Sequence, residues 1–216
     1  MVKLIVYDLD GTLVDTRKDI SEAANQMRAR MNLPPLSEQE ICGYVGLGLQ
    51  RLVEGCLNTT EPVKIEEGVR IYRSFYTQHL LDHTVLYPGV TQVLEHFRSR
   101  RQAVITNKPD PYSHRILEAL GVAGFFTQII AGNSGWPKKP DSASLVALMR
   151  AEGAEPDRTV FVGDSPIDME TGARAGAVTV GMVQGFCGRK ELETSGPDHL
   201  LEGFPELLQL AKERVW

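Results

Sequence analysis

Leu4-Ile5-Val6-Tyr7-Asp8-Leu9-Asp10-Gly11-Thr12 decides the fold. Four apolar residues, short and partly β-branched, read as a buried strand that ends in the turn pair Asp10-Gly11. Two acids therefore stand where the strand gives way to its turn. The same arrangement recurs twice. Ala103-Val104-Ile105 runs into Thr106-Asn107, and Thr159-Val160-Phe161-Val162 runs into Gly163-Asp164-Ser165-Pro166-Ile167-Asp168. Open α/β sheets gather their sites at the carboxyl ends of parallel strands. A fourth segment, Lys139-Pro140, adds an ammonium to the carboxylates and hydroxyls.

Outward from these segments, the character of the chain changes twice. Asp19 to about Met31 is helical, with Ile20, Ala23, Ala24 and Met27 on one stripe. Leu33-Pro34-Pro35-Leu36 breaks it, and Ser37-Glu38-Gln39-Glu40 has the form of a capping box. Helix resumes over Leu49–Leu57 and Ile65–Leu81, with no convincing strand between 17 and 82. After Tyr87-Pro88-Gly89 helices and strands alternate. Helices are expected at Val90–Arg100, Tyr112–Leu120, Ser142–Glu152, Met169–Ala175 and Pro205–Arg214, with strands at Ala103–Thr106, Phe126–Ala131, Thr159–Gly163 and Ala177–Gly181. Such alternation implies crossover connections and a doubly wound parallel α/β sheet. The expected organisation is an α/β core of residues 1–16 and 83–216, interrupted by an all-helical module over 17–82. That module leaves the sheet beside the acids, where a lid would sit.

The whole chain narrows the class. Its 216 residues suffice for a substantial core, and 42% hydrophobic with 24% charged residues is ordinary globular composition. A net charge of −5 argues against nucleic acid or an anionic membrane as partner. A small phosphorylated metabolite remains compatible, because a metal ion and one lysine reverse the potential locally. Cys42, Cys56 and Cys187 are odd in number and lack metal-type spacing, so reduced thiols in the cytoplasm are expected. No stretch is long and apolar enough to cross a bilayer. A monomer or homodimer is expected.

Phosphate-ester hydrolysis needs an attacking oxygen, charge neutralisation and a proton for the leaving alkoxide. Asp8 and Asp10 can divide the first and last tasks if their surroundings differ, Asp8 on a metal and Asp10 holding a proton near an apolar lid. Gly11 and Thr12 offer backbone N–H groups and a hydroxyl. Asp164 and Asp168, four apart at a helix start, lie on one face; Asp164 suits an oxygen-ligand Mg²⁺ site, while Asp168 alone fits a first-turn acid equally well. Thr106 and Asn107 could meet a phosphate, though taken alone they read better as a helix cap before Pro109. Lys138 and Lys139 are adjacent, and Pro140 favours Lys139 as the ordered one. His79 and His83 are four apart but lack a third ligand, so zinc is not expected.

Together the four segments resemble the haloacid dehalogenase superfamily, and within it the phosphatases. Asp8-Leu9-Asp10-Gly11-Thr12-Leu13-Val14-Asp15 looks like the first motif, Thr106-Asn107-Lys108 the second, Lys139-Pro140 the third and Gly163-Asp164-Ser165-x-x-Asp168 the fourth. The resemblance implies a Rossmann-like core, Asp8 as nucleophile and Asp10 as acid/base. It further implies Thr106 and Asn107 as phosphate ligands, Lys139 as charge stabiliser, and Mg²⁺ on Asp8, the Asp10 carbonyl and Asp164, with Asp168 supporting. The helical insertion resembles the cap shared by phosphoglycolate phosphatases and β-phosphoglucomutases. Within it Gly46, Gly48 and Arg51 fall in the segment that faces substrate in the former, although they also fit a loop turn and a solvated helix residue. Leu47 stands where a polar residue is commoner, and Asp141-Ser142-Ala143-Ser144 lacks a frequent second proline. The expected activity is hydrolysis of small phosphomonoesters, 2-phosphoglycolate first. A phosphomutase would use the same motifs, and a phospho-aspartate signalling module is the alternative of a different class.

Overall fold

A computed structural model describes residues 1–214 and Trp216. Strand β1 (Leu4–Tyr7) is followed by the two-residue β2 (Val14–Asp15) and four helices: α1 (Arg17–Arg30), α2 (Glu38–Cys42), α3 (Leu49–Leu57) and α4 (Pro62–His79). The chain returns through β3 (Val85–Leu86), then alternates α5 (Val90–His96), β4 (Arg101–Ile105), α6 (Tyr112–Ala119), β5 (Gln128–Ile130) and α7 (Ala143–Glu152). It closes with β6 (Thr159–Gly163), α8 (Pro166–Ala175), β7 (Val178–Met182), α9 (Arg189–Ser195), β8 (His199–Leu201) and α10 (Phe204–Arg214).

Six strands form one sheet in the order β5-β4-β1-β6-β7-β8, every pairing parallel. β1 sits between β4 and β6, with Val6 opposite Ala103 on one side and Phe161 on the other. Successive β1 side chains enter opposite cores. Ile5 and Tyr7 pack with α5, α6 and α10 residues, whereas Leu4 and Val6 pack with Leu145, Leu148 and Met149 of α7. A strand buried on both faces needs an unbroken apolar run, and Leu4–Tyr7 supplies one. The doubly wound α/β expectation is met.

The helical insertion is tied at both crossings. β2 and β3 pair antiparallel, Val14 opposite Leu86 and Asp15 opposite Val85. Asp19, buried on α1, accepts hydrogen bonds from His83 N–H (3.0 Å), Thr84 N–H (2.9 Å) and the Thr84 hydroxyl (2.7 Å). The stripe expected on α1 is buried, and α1 packs chiefly against α4. Ser37 and Glu40 make the capping box read from sequence. Four elements go beyond the sequence reading: the ribbon β2–β3, the polar helix α9 and the half-buried edge strand β8. All three cysteines are free. Among the described residues no helix is long and apolar enough to cross a membrane.

Candidate active site

The three central strands end side by side, and their following loops bring the polar residues together. From β1 come Asp8 and Asp10, from β4 Thr106, Asn107 and Lys108, and from β6 Asp164, with Asp168 one turn into α8. All seven are buried, as is Lys139.

Lys139 is the electrostatic centre. Its Nζ lies 2.6 Å from Asp168 Oδ1 and 2.7 Å from Asp8 Oδ1. Burial alone would lower the ammonium pKa, but Asp168 and Asp8 more than offset it and hold the proton on Lys139 beyond its ordinary range. Asp168 has a second task. Its Oδ2 accepts from Ser165 N–H (3.1 Å) and the Ser165 hydroxyl (2.6 Å), capping α8 behind Pro166. The first-turn reading and the site reading of Asp168 thus both describe one carboxylate.

Asp164 is held between two glycines. Gly11 adopts φ +81°, and a Cβ there would stand 2.2 Å from Asp164 Oδ2; a Cβ on Gly185 would meet Asp164 Cβ at 2.2 Å. Only residues without side chains allow this approach. The Thr12 hydroxyl donates to Asp164 Oδ1 (2.9 Å) and Phe186 N–H to Oδ2 (2.8 Å). Phe186 lies beyond β7 and carries no motif, so it was not read from sequence.

The acids outnumber their cations. Asp8, Asp164 and Asp168 bring oxygens within 4.8 Å of one another. Burial, then the neighbouring Asp168 and Asp10 charges, push Asp8 up to about 7 against the pull of Lys139. Asp164 is likewise raised, by burial first and then by Asp168 and Asp8. Asp8 Oδ1 is buried, and the Lys139 ammonium at 2.7 Å, already shared with Asp168, is the cation against it. Three buried carboxylates that share one ammonium are an oxygen donor set short of positive charge, which is what a hard divalent cation takes. The cluster can hold a metal ion.

Asp10 faces away from that cluster. It accepts from the Thr16 hydroxyl (2.7 Å) and from Lys108 Nζ (2.9 Å to Oδ1, 3.2 Å to Oδ2). Lys108 follows Thr106-Asn107 in the second segment, and it reaches Asp10 because β4 pairs with β1. The Lys108 ammonium also stands 4.8 Å from the Tyr76 ring centroid on α4.

Three expectations change. Thr106 and Asn107 do not cap a helix, because α6 begins at Tyr112 behind Pro111. The Asn107 side chain, expected on phosphate, is spent on backbone: Oδ1 accepts from Lys139 N–H (2.9 Å) and Nδ2 donates to Lys139 O (2.9 Å) and Gly46 O (2.7 Å). It aligns Lys139 and ties the insertion to the core. Arg51, expected to face substrate, pairs with Glu54 and leaves 69% of its side chain exposed. Gly46 and Gly48 do border the cleft, together with Val45, Leu49, Leu52, Tyr72 and Tyr76 of the insertion. Lys138 stays outside the acid cluster, its Nζ set against Gly48.

Comparison with known proteins agrees with this arrangement. Residues 5–182 match the family model described as haloacid dehalogenase-like hydrolase. A phosphoglycolate phosphatase of Chromobacterium violaceum is 33% identical over 98% of this chain and 97% of its own length. One of Aquifex aeolicus is 30% identical over 99% of each. The crystal structure of a predicted phosphoglycolate phosphatase from Haemophilus somnus superposes with a TM-score of 0.92 at 29% identity, covering 97% of this chain and 98% of that one. The chain belongs to the haloacid dehalogenase-like hydrolase family and is a phosphatase of it.

Proposed function

We propose that the protein is a Mg²⁺-dependent phosphatase that hydrolyses small phosphomonoesters, 2-phosphoglycolate first, through an aspartyl-phosphate on Asp8. The observation that carries the reading is Asp8 itself: a buried carboxylate at the end of β1, 2.7 Å from the Lys139 ammonium and with an oxygen within 4.8 Å of those of Asp164 and Asp168. The substrate name comes from the nearly full-length relatives called phosphoglycolate phosphatase.

Asp8, Asp164 and the Asp10 carbonyl would hold Mg²⁺, with Asp168 supporting. Bound there, the ion would neutralise phosphoryl charge and keep Asp8 ionised. An Asp8 oxygen attacks phosphorus while the bond to the ester oxygen breaks, and Asp10 gives that oxygen a proton. Lys139 stabilises charge on the phosphoryl oxygens, which Gly11, Thr12 and Thr106 help to bind. Water then attacks the aspartyl-phosphate, Asp10 takes its proton, and inorganic phosphate leaves with Asp8 restored. Asn107 acts in this scheme by holding Lys139 rather than by touching phosphate.

Residues 17–82 serve as the cap, closing over residues 1–16 and 83–216 to exclude water. The cleft is lined by Val45, Leu49 and Leu52 of the insertion together with Asp8 and Asp10 of the core.

The test is phosphate release from a panel of small phosphomonoesters with Mg²⁺ and with EDTA. Release led by 2-phosphoglycolate and abolished by EDTA supports the proposal. Release led by another ester removes the substrate name and keeps the reaction. No release moves the assignment to a mutase or a phospho-aspartate switch.

A further inference from the structure

Tyr76 closes the cleft from α4 and is 1% exposed. Its ring stacks on Tyr72 (centroids 5.3 Å apart), meets the Tyr112 ring edge-on (5.2 Å) and lies over the Lys108 ammonium (4.8 Å). Its hydroxyl has no hydrogen-bond partner. Three of the other buried phenols differ: Tyr7 donates to Gln102, Tyr87 accepts from Arg17, and Tyr112 shares its hydroxyl with Thr77. Among the described residues Tyr76 is the one tyrosine whose fully buried hydroxyl is left over.

A phenylalanine would keep every ring contact and bury no unsatisfied oxygen, so packing gives no reason for the hydroxyl. Burial, then the charges of Asp10 and Asp19, hold the phenol pKa well above its ordinary range, so the O–H remains a donor. It lines the same cleft as Asp10. The insertion brings no arginine there, since Arg51 turns to Glu54.

We propose that Tyr76 is the residue of the insertion that reads the leaving group, donating its O–H to an oxygen the ester carries beyond the scissile bond. The ligand class is a short phosphomonoester with a carboxylate or hydroxyl on the adjacent carbon. This rests on the phosphatase reading above and deepens it.

Tyr76→Phe and the wild type are compared on 2-phosphoglycolate, glycerol 1-phosphate and ethyl phosphate, which lacks the second oxygen. In the wild type an oxygen-bearing ester is expected to exceed ethyl phosphate in kcat/KM. In Tyr76→Phe that ratio is expected to fall about tenfold to a hundredfold, the loss lying mainly in KM, as befits one hydrogen bond to a polar or charged group. The melting temperature is expected not to fall, because the lost hydroxyl bonds nothing. A ratio that survives the substitution overturns the proposal, as does a parallel fall for all three esters. A wild type that prefers glycerol 1-phosphate discards 2-phosphoglycolate while leaving Tyr76 to be judged on the preferred ester. A wild type that hydrolyses all three alike refutes Tyr76 as reader and leaves the phosphatase reading standing. No hydrolysis of any ester refutes both.

Discussion

Lys139 Nζ and Asp168 Oδ1 are 2.6 Å apart with both side chains almost wholly buried, and Asp8 stands on the other side of the same ammonium. One cation therefore compensates two carboxylates out of reach of water. Replacing it with an apolar residue leaves both charges stranded, which costs about 3–5 kcal/mol when a buried pair is broken. Lys139→Met is expected to lose that much stability in urea at pH 8 and less at pH 5, where Asp8 protonates. A loss below about 1 kcal/mol at pH 8 would show that the pair is not buried in solution.

Asp8→Asn removes the attacking oxygen while keeping size and shape. Turnover of the best ester should fall by at least about 10⁴-fold, the scale seen when a nucleophile is deleted. The folded protein should be no less stable, because a crowded carboxylate becomes a neutral amide. Substantial Mg²⁺-dependent activity in the variant would remove Asp8 as nucleophile.

The pH dependence of metal-free stability has a definite sign. Burial raises Asp8 from 3.8 to about 7, and Asp164 moves the same way. The native state thus binds protons that the unfolded chain has released. The stabilisation is complete below the ordinary carboxylate range and is lost as pH rises through about 7. In EDTA the melting temperature should fall between pH 5 and pH 8. Mg²⁺ should raise it, and by more at pH 8 than at pH 5, because the cation takes the place of the protons. An increment independent of pH would contradict a site built on these acids.

Gly11→Ala tests the close approach to Asp164. The positive φ costs about 1 kcal/mol for a residue with a Cβ, and the 2.2 Å approach forces the carboxylate to move. Mg²⁺ affinity should weaken about tenfold to a hundredfold, the usual range when a metal ligand loses its alignment. Calorimetric titration of Mg²⁺ reads this directly, and unchanged affinity would place the cation elsewhere.

Arg51→Ala separates the exposed helix position from the cleft. Its partner is Glu54 and its head is in solvent. The expected change in kcat/KM for 2-phosphoglycolate is within about twofold, in line with an ordinary surface substitution. A tenfold loss would mean that the guanidinium swings inward when substrate binds.

The legible part of this chain is the part with local causes. Leu4–Tyr7, Ala103–Ile105 and Thr159–Val162 are short apolar runs ended by turn residues, so strand and terminus are both written in sequence. The acids could be assigned to the carboxyl ends for the same reason. What local pattern cannot express is which partner a side chain meets across the sheet. The Asn107 amide has the chemistry of a phosphate ligand, yet Lys139, distant in sequence, supplies a backbone that fits it on both sides. Lys108 has the chemistry of a solvated lysine, yet Asp10 lies within 2.9 Å of it. α9 and β8 escaped because Arg189–Ser195 carries a single apolar residue, the buried Leu192, too few to set a period, and His199–Leu201 is a half-buried edge with no alternation to read. The ribbon β2–β3 has two residues per strand and exists because the chain must leave and re-enter the sheet at one place.

That single place has a practical meaning. Val14 faces Leu86 and Asp15 faces Val85, so the exit and the re-entry of the helical insertion are neighbours across one ladder. Everything between them can be exchanged as a cassette with two adjacent splice points, and the core acids need not move. Grafting a foreign insertion at Asp15 and Val85 would transplant the walls of the cleft onto an unchanged Asp8 and Lys139. The buried Asp19 clasp on His83 and Thr84 would have to travel with it, as the rivet that sets the angle at which any such cassette sits.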